Sequence, residues 1–283
     1  MYSGDEVLVV CTGDWQLDPV LRGAPRSADV ARLRRVVQWG IDHHAYFLGT
    51  GDYADSMSPS NRAAWAAAKM YDSPRLVMEN GAEDTLEEIK ETLAGTEGRW
   101  LGMVSGHHFH PFLDGSTTDT RLTKHLGTPH LGDMGIVHLL MPRNGHKRQP
   151  MAKIWVAHGS GNGKAGAALS KVENTGMRIT DQADAYILGH MHKVEAGKVQ
   201  RIGTVGGERG GQPRMTSRDI ALACTGSFLR GYTEGSRVGN IAQGSYVERA
   251  MMSPSALGAA VLSFKPVVSR HGYTRLDIDA ATI

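Results

Sequence analysis

The stretch RWLGMVSGHHFH, residues 99–110, runs from an apolar segment directly into a cluster of histidines. Residues 99–106 have the length and composition of a buried strand that ends in Gly106. His107, His108 and His110 follow within four positions. In open α/β folds ligands bind beyond the carboxyl ends of the strands, so this position favours a functional site.

Four further apolar runs end in the same way, at an aspartate or a histidine. They are residues 6–14, 45–52, 152–159 and 183–190. If these strands lie side by side, their ends bring together seven polar residues: Asp14, Asp52, His107, His108, His158, His190 and His192. Glycines beside these residues let the backbone turn sharply at the strand ends.

The order of the predicted elements indicates the fold class. Strands alternate with helical patterns over the first two thirds of the chain, which predicts an α/β sandwich. The helix at residues 27–43 is predicted to begin behind Ser27, and the helix at residues 84–95 near Asp84 or Thr85. We predict one domain over residues 1–283, with the strand-rich residues 195–283 completing the second sheet.

Composition excludes several classes of protein. With 41% hydrophobic residues, 21% charged residues and a net charge of +2, the chain is typical of a globular protein and not of a disordered one. No apolar run approaches the roughly 20 residues that cross a bilayer, so no membrane association is predicted. Cys11 and Cys224 lie in apolar runs and are predicted to be buried thiols. These features predict a cytoplasmic protein.

The residues at the strand ends suit a pair of divalent cations. Two cations about 3.5–4 Å apart require oxygen ligands, imidazoles and a carboxylate that can bridge them. The chain supplies such groups in five motifs: GDWQ at 13–16, GDYAD at 51–55, GHH at 106–108, HG at 158–159 and GHMH at 189–192.

This series resembles the calcineurin-like metallophosphoesterase superfamily. The motifs of that superfamily run D-x-H, G-D-x-x-D, G-N-H-[DE], a single H and G-H-x-H, and the resemblance covers residues 7–193 in the same order. The segments at 51–62, 158–168 and 225–232 look like the versions found in bacteriophages and prophages. The resemblance implies a sandwich of two mostly mixed β-sheets flanked by helices.

The resemblance also implies a role for each matching metal ligand. Asp14 and His192 would bind the first metal ion, and Asp52 would bridge both ions. His158 and His190 would bind the second ion. Manganese is the favoured metal, with iron, zinc, nickel and magnesium as alternatives.

His108 matches the catalytic histidine of the superfamily, which stabilises phosphoryl oxygens or protonates the leaving group, and Asp55 would orient it. Two positions depart from the pattern. Gln16 replaces a histidine and would ligate more weakly through its amide oxygen. His107 replaces an asparagine ligand and is a competent substitute. A second interpretation is that one metal site is depleted and fills only at high metal concentration.

The function implied is that of a dinuclear-metal-dependent phosphoesterase, in which a hydroxide that bridges the metal ions attacks phosphorus. A phosphodiesterase or nuclease acting on nucleotides or nucleic acid is favoured. The alternatives are a phosphomonoesterase of small molecules or phosphoproteins, and a catalytically impaired metal-binding, DNA-binding or virion-associated module. The partner expected is therefore a phosphoester substrate, with nucleic acid as one candidate; the sequence carries no signal for an oligomeric state.

The remaining polar stretches are interpreted more simply. The sequence HGSGNGKAG at 158–166 lacks one residue of a nucleotide-binding phosphate loop. The basic stretches at 142–153 and 201–215 are predicted to be solvated turns, with a basic rim for nucleic acid as the alternative. Arg62 and Arg230 are weaker candidates for a phosphate contact. His110 is predicted to lie behind the site or at the surface, and Asp119 to be a loop or cap carboxylate.

Overall fold

A computed structural model gives the fold. It describes residues 6–18, 26–68, 71–141, 150–161, 167–205, 212–235, 237–238, 241–242, 244, 246–268 and 274–283. Its helices are α1 (Val30–Asp42), α2 (Pro59–Ala67), α3 (Asp72–Thr92), α4 (Thr118–Leu126), α5 (Ala168–Ile179) and α6 (Tyr246–Arg249).

The strands form two five-stranded sheets and one small pair. They are β1 (Val7–Thr12), β2 (Tyr46–Gly49), β3 (Trp100–Met103), β4 (Met134–Leu140), β5 (Met151–Ala157), β6 (Ala185–Leu188), β7 (Val194–Val205), β8 (Arg214–Thr225), β9 (Arg237–Val238), β10 (Ile241–Ala242), β11 (Ala260–Val268) and β12 (Thr274–Thr282). The first sheet has the order β12-β11-β1-β2-β3, and the second has the order β4-β5-β6-β8-β7.

Both sheets are mixed. Strand β1 pairs with β2 and β2 with β3 in parallel, whereas β11 and β12 are antiparallel. In the second sheet the central strands β5, β6 and β8 are parallel to one another, and the edge strands β4 and β7 are antiparallel to them. The α/β class with two mixed sheets and flanking helices, predicted from the sequence, is confirmed.

Alternation along the strands builds a four-layer arrangement. Val7 and Val9 of β1 pack with Ile154 and Ile187 of the second sheet, so the two sheets face each other across one apolar core. The intervening Val10 packs in a second cluster with residues of α1, α3 and α4. A third cluster lies between the second sheet and α5. This period of two is the pattern expected of strands buried on both faces.

The helix starts predicted from sequence are wrong at two places. The α1 helix is capped by Asp29, whose side chain accepts a hydrogen bond from the Arg32 backbone N–H at 2.9 Å, and not by Ser27. The α3 helix begins at Asp72, twelve residues before Asp84. Its first ten residues are not buried and therefore carry no apolar face that periodicity could detect.

The strands after residue 195 divide between the sheets. Strands β7 and β8 complete the second sheet, as expected, whereas β11 and β12 extend the first sheet beside β1. The apolar face of β11 explains this placement, because Leu262 and Phe264 pack into the core between the sheets. Among the described residues, no helix is both long enough and apolar enough to cross a membrane.

Candidate metal centre

The two sheets present the ends of their parallel strands to one place. Five strands, β1, β2, β3, β5 and β6, are each followed within a few residues by the predicted ligands. Asp14 N donates to the carbonyl oxygen of Gly51 at 2.8 Å, and His190 N donates to Asp14 Oδ2 at 2.8 Å. These bonds join the ends of β1, β2 and β6, so the site is built across both sheets.

Unusual backbone conformations concentrate at this place. In the described ranges, seven non-glycine residues have a positive φ, and five of them are predicted ligands: Asp14, Gln16, Asp52, His190 and His192. Positive φ is sterically costly for residues with a Cβ atom and persists only where the surroundings hold it. The fold therefore imposes strained turns on the residues whose side chains converge.

Gly51 and Gly106 allow two of these turns to meet. A Cβ atom on Gly106 would lie 2.0 Å from Asp52 N and 2.1 Å from Asp52 Oδ1, and one on Gly51 would lie 2.7 Å from Gly106 Cα. All three distances are too short for a Cβ atom, so any residue other than glycine would clash at these two positions. Glycine at these positions lets the β3 loop approach the Asp52 carboxylate.

Asp52 is at the centre of the site. It is 2% exposed, and its Oδ1 accepts hydrogen bonds from the backbone N–H groups of His107 and His108, the second at 3.0 Å. Its Oδ2 lies 3.3 Å from His158 Nε2. Two amides thus occupy Oδ1, and Oδ2 is the oxygen left for ligation.

Three imidazoles form one side of the centre, named here the imidazole half: His107, His158 and His190. His190 Nδ1 lies 3.3 Å from His107 Nδ1 and 3.2 Å from His158 Nε2. His158 Nδ1 donates to the carbonyl oxygen of Thr50 at 2.7 Å, which leaves Nε2 facing the other rings. A backbone carbonyl that fixes the tautomer in this way is the usual support of a metal-binding histidine.

The opposite side, named here the carboxylate half, consists of Asp14, Gln16 and His192. Asp14 is fully buried, and within the described part of the chain its Oδ1 has no hydrogen-bond partner. His192 Nε2 lies 3.5 Å from that oxygen. Gln16 Nε2 lies 3.4 Å from His192 Nε2, so the amide directs its nitrogen and not its oxygen towards the ring.

These residues fit a bound cation. Two groups of three have their ligand atoms within 4.8 Å of one another, His107 with His158 and His190, and Asp14 with Asp52 and His158. A buried carboxylate oxygen without a partner is costly, and a cation would satisfy it. His158 belongs to both groups, so the two groups adjoin, and its free nitrogen, Nε2, can ligate one ion.

Burial and neighbouring charges give the ligands of the site different protonation states. Burial raises the pKa of Asp14 to about 8. Burial alone would lower the pKa of His158, but the hydrogen bond that the ring donates to Asp52 and the charge of Asp14 raise it to about 9. Burial also opposes ionisation of Asp52, yet its hydrogen bond and charge interaction with His158 keep its pKa well below the ordinary value. Burial lowers the pKa of His190 and of His192 to about 4.

His108 and Asp55 form the pair that the sequence predicts. His108 Nδ1 lies 2.7 Å from Asp55 Oδ1, and this hydrogen bond raises the pKa of His108 above its usual value. The His108 side chain is 29% exposed, and its Nε2 is the ring nitrogen left for a substrate. The structure thus brings together all nine residues predicted from sequence, and their roles stay predictions.

Asp119 lies at the site, although the sequence did not predict it there. It lies in the first turn of α4 but is only 1% exposed, and its Oδ2 accepts a hydrogen bond from Gly106 N at 3.2 Å. Asp119 and Asp52 therefore hold three successive amides, those of Gly106, His107 and His108. The interpretation as an ordinary loop or cap carboxylate is wrong, because Asp119 is buried and bonded to the loop after β3. The sequence does not show this contact, since it forms only when α4 packs beneath that loop.

Arg62 and Arg230, the weaker candidates for a phosphate contact, are bonded to other groups of the protein. Arg62 donates to the carbonyl oxygens of Met57 at 2.7 Å and His107 at 2.5 Å, so it braces the histidine loop. Arg230 pairs with Asp29 at 3.1 Å. His110 is buried at 2% exposure, and in the described chain its Nε2 has no partner.

Two of the sequence predictions fall largely outside the described residues. The part of the glycine-rich loop at 162–166 and the basic residues at 142–149 and 206–211 belong to this group. In the described part of the second basic stretch, Arg201 forms an ion pair with Glu173. That pair neutralises one of the charges that a basic rim would need.

Comparison with known proteins adds little. No family model matches the chain, and no curated protein is similar to it. Two similar solved structures are Vps29 of Chaetomium thermophilum and the same protein complexed with the RaPID-derived cyclic peptide RT-D3. Both are 9% identical; the first covers 97% of each chain with a TM-score of 0.31, and the second covers 98% of this chain and 96% of the other with a TM-score of 0.27. A likeness of this size supports no family and no function.

Proposed function

We propose that the chain is a metal-dependent phosphoesterase, with phosphodiesters of nucleotides or nucleic acid as its substrates. The observation that carries this proposal is the pair of candidate ligand groups that share His158, beside the His108–Asp55 pair. Two adjacent cations with a positioned histidine are the parts needed for in-line displacement at phosphorus. When bound, the cations would supply charge neutralisation on the phosphate and activation of water.

The residues of the chain divide the remaining work. Asp52, held by the amides of His107 and His108, presents one oxygen between the two halves of the centre. Asp55 holds His108 Nδ1, so Nε2 faces the substrate, and the raised pKa keeps a larger fraction of this imidazole protonated. A protonated His108 can donate to a phosphoryl oxygen or to the leaving oxygen.

The finer features of the proposal rest on the sequence. The preference for diesters follows from the net charge of +2, from His107 in place of asparagine and from the resemblance to bacteriophage and prophage proteins. Manganese is the proposed metal because Gln16, once its amide oxygen is turned towards the ion, makes one half richer in oxygen ligands. Two buried free cysteines accord with a reducing compartment, and we place the enzyme in the cytoplasm of a bacterium or of a phage-infected host.

A second function is favoured by one observation. Gln16 turns its amide nitrogen towards His192, and an amide nitrogen does not ligate cations. If this orientation persists when metal is bound, the carboxylate half lacks a ligand, and the chain becomes a metal-binding or DNA-binding module without turnover.

The test is hydrolysis of bis(p-nitrophenyl) phosphate and p-nitrophenyl phosphate by metal-stripped protein titrated with Mn²⁺. Turnover of the diester that requires metal and is lost in His108→Ala and Asp52→Asn supports the proposal. His125→Ala, an exposed histidine of α4, is the matched control and should keep full activity. Turnover of the monoester alone points to a phosphomonoesterase, and bound metal without any turnover points to the binding module.

A further inference from the structure

A cavity of about 370 Å³ lies between α2 and the N-terminal half of α3. Its walls include Met57, Asn61, Trp65 and Met78, together with Ser56 and two alanines at the α2 side. The helix α2 is described along its whole length, and it buries none of its residues. An exposed helix that carries a tryptophan over a cavity is a surface suited to a ligand.

The cavity borders the loop after β3, which carries His107 and His108. Ser56 N and Met57 N both donate to the carbonyl oxygen of His108, at 3.0 Å and 3.2 Å. Ser56 follows Asp55, which orients the His108 ring. Arg62 of α2 donates to the carbonyl oxygens of Met57 and His107, so the helix is bonded to the same loop. The cavity therefore adjoins the loop that carries His108.

The chemistry of the lining indicates what that substituent is. The lining residues within the described chain are uncharged. Trp65 is half-buried, and the guanidinium carbon of Arg75 lies 5.8 Å from its ring centroid over one face. The ring lines the cavity together with Met57 and Met78, which offer polarizable thioethers. Asn61 and Ser56 offer hydrogen-bonding groups beside these apolar atoms. A flat ring system with polar edges matches this combination, and such rings stack on aromatic side chains.

We propose that this cavity binds the nucleobase of a nucleoside phosphodiester while the phosphate lies at His108 and Asp52. The inference rests on the proposed function and adds the class of substituent that the enzyme selects. The commitment to a nucleobase, and not to an apolar segment of a protein, follows from the bonds that join the cavity to the His108 loop.

The test uses two diesters with the same leaving group. The p-nitrophenyl ester of thymidine 5′-monophosphate carries a base, and methyl p-nitrophenyl phosphate does not, so release of p-nitrophenolate reports both. In the metal-loaded protein, Trp65→Ala should raise KM for the nucleoside ester at least about fivefold, the lower end of a base–aromatic stack, and leave the methyl ester unchanged. Trp65→Phe should restore most of the preference.

The matched control is Tyr71→Ala. Tyr71 is 87% exposed, makes no side-chain cap bond at the start of α3 and does not line the cavity. This variant should leave both KM values unchanged. Equal effects of Trp65→Ala on the two esters, or no effect on either, would overturn the inference.

Failure of the proposed function is separable from failure of this inference. If the wild type hydrolyses neither ester, calorimetric titration with thymidine 5′-monophosphate decides the cavity. Binding that weakens in Trp65→Ala and persists in Tyr71→Ala would sustain the nucleobase site in a protein that does not turn over. Equal binding by all three proteins, or none by the wild type, would overturn it.

Discussion

The imidazole half and the carboxylate half of the centre differ in how completely they are assembled. In the imidazole half, His190 Nδ1 lies 3.2–3.3 Å from a nitrogen of each of the other two rings, and Thr50 fixes the tautomer of His158. In the carboxylate half, Asp14 Oδ1 has no partner in the described chain, and Gln16 presents an amide nitrogen. Asp52 lies between the two halves, and His158 of the imidazole half is also close to Asp14 and Asp52.

The two positions at which the sequence departs from the motifs that it resembles therefore have unequal consequences. Replacement of asparagine by His107 adds a ring nitrogen that points at its neighbours. Replacement of histidine by Gln16 gives a side chain that must rotate its amide before it can ligate. We therefore expect the imidazole half to bind its cation more tightly.

The largest effect is expected from Asp52→Asn, which should lower the metal affinity of both halves together. Supporting residues around a metal typically contribute 10–100-fold to affinity or activity, so loss of a carboxylate central to both sites should lower activity by more than about 100-fold. Activity titrations with Mn²⁺ measure the loss, and circular dichroism checks the fold. A variant that keeps activity and both binding events would contradict the central place given to Asp52.

The dependence of metal binding on pH should distinguish the halves. Burial holds the pKa of Asp14 at about 8, so this carboxyl is protonated at pH 6 and must release its proton to ligate. Affinity of the carboxylate half should therefore rise with pH between 6 and 8, by up to about tenfold per unit for one proton released. The pKa of His190, lowered to about 4, leaves that ring neutral throughout this range.

Calorimetry in two buffers with different ionisation enthalpies counts the released protons. At pH 6.5 the weaker event should release the proton of Asp14 and the stronger event that of His158, whose pKa is raised to about 9, so only the dependence of the stronger event should continue above pH 8. Asp14→Asn should remove the weaker event together with its proton release. A weaker event whose affinity does not change with pH would show that Asp14 is not its ligand.

Asp119→Asn should give a smaller effect that falls on both halves. The amide would place a donor or a weaker acceptor against Gly106 N and loosen the loop whose next two amides hold Asp52. Metal affinity should fall about tenfold, the lower end of the range for supporting residues. Asp114→Asn, an exposed carboxylate of the preceding loop, is the control. Unchanged Mn²⁺ affinity in Asp119→Asn would assign this residue to α4 alone.

The smallest change is expected from Gln16→His, which should bring the metal affinities of the two halves closer together. An imidazole at position 16 supplies a nitrogen ligand without rotation of an amide, so the weaker affinity should increase by several-fold, on the order of one metal–ligand contact. The stronger event should not change. Competition with a chelating dye measures both affinities, and a variant with a weakened second event would contradict the assignment of Gln16.

Much of the fold and of the site could be predicted because both depend on short-range patterns. Continuous apolar runs place β1, β2 and β6 in the sheets, and the polar residue after each strand locates the site. The order of the motifs then adds expected roles. None of this requires knowledge of contacts between distant parts of the chain.

The rest depends on contacts that the local sequence does not carry. The burial of Asp119 beneath Gly106 arises from the packing of α4 against the β3 loop, and its own surroundings resemble a helix start. The early start of α3 lies in surface residues without an apolar face. The amide orientation of Gln16 depends on His192, 176 residues away.

The most direct test of unequal metal sites is a titration of metal-stripped protein with Mn²⁺, followed by electron paramagnetic resonance of the free ion. Two binding events of different affinity are expected in the wild type. His107→Ala should weaken the stronger event, and Asp14→Asn should remove the weaker one. A single event, or two events of equal affinity that both variants affect alike, would contradict the account.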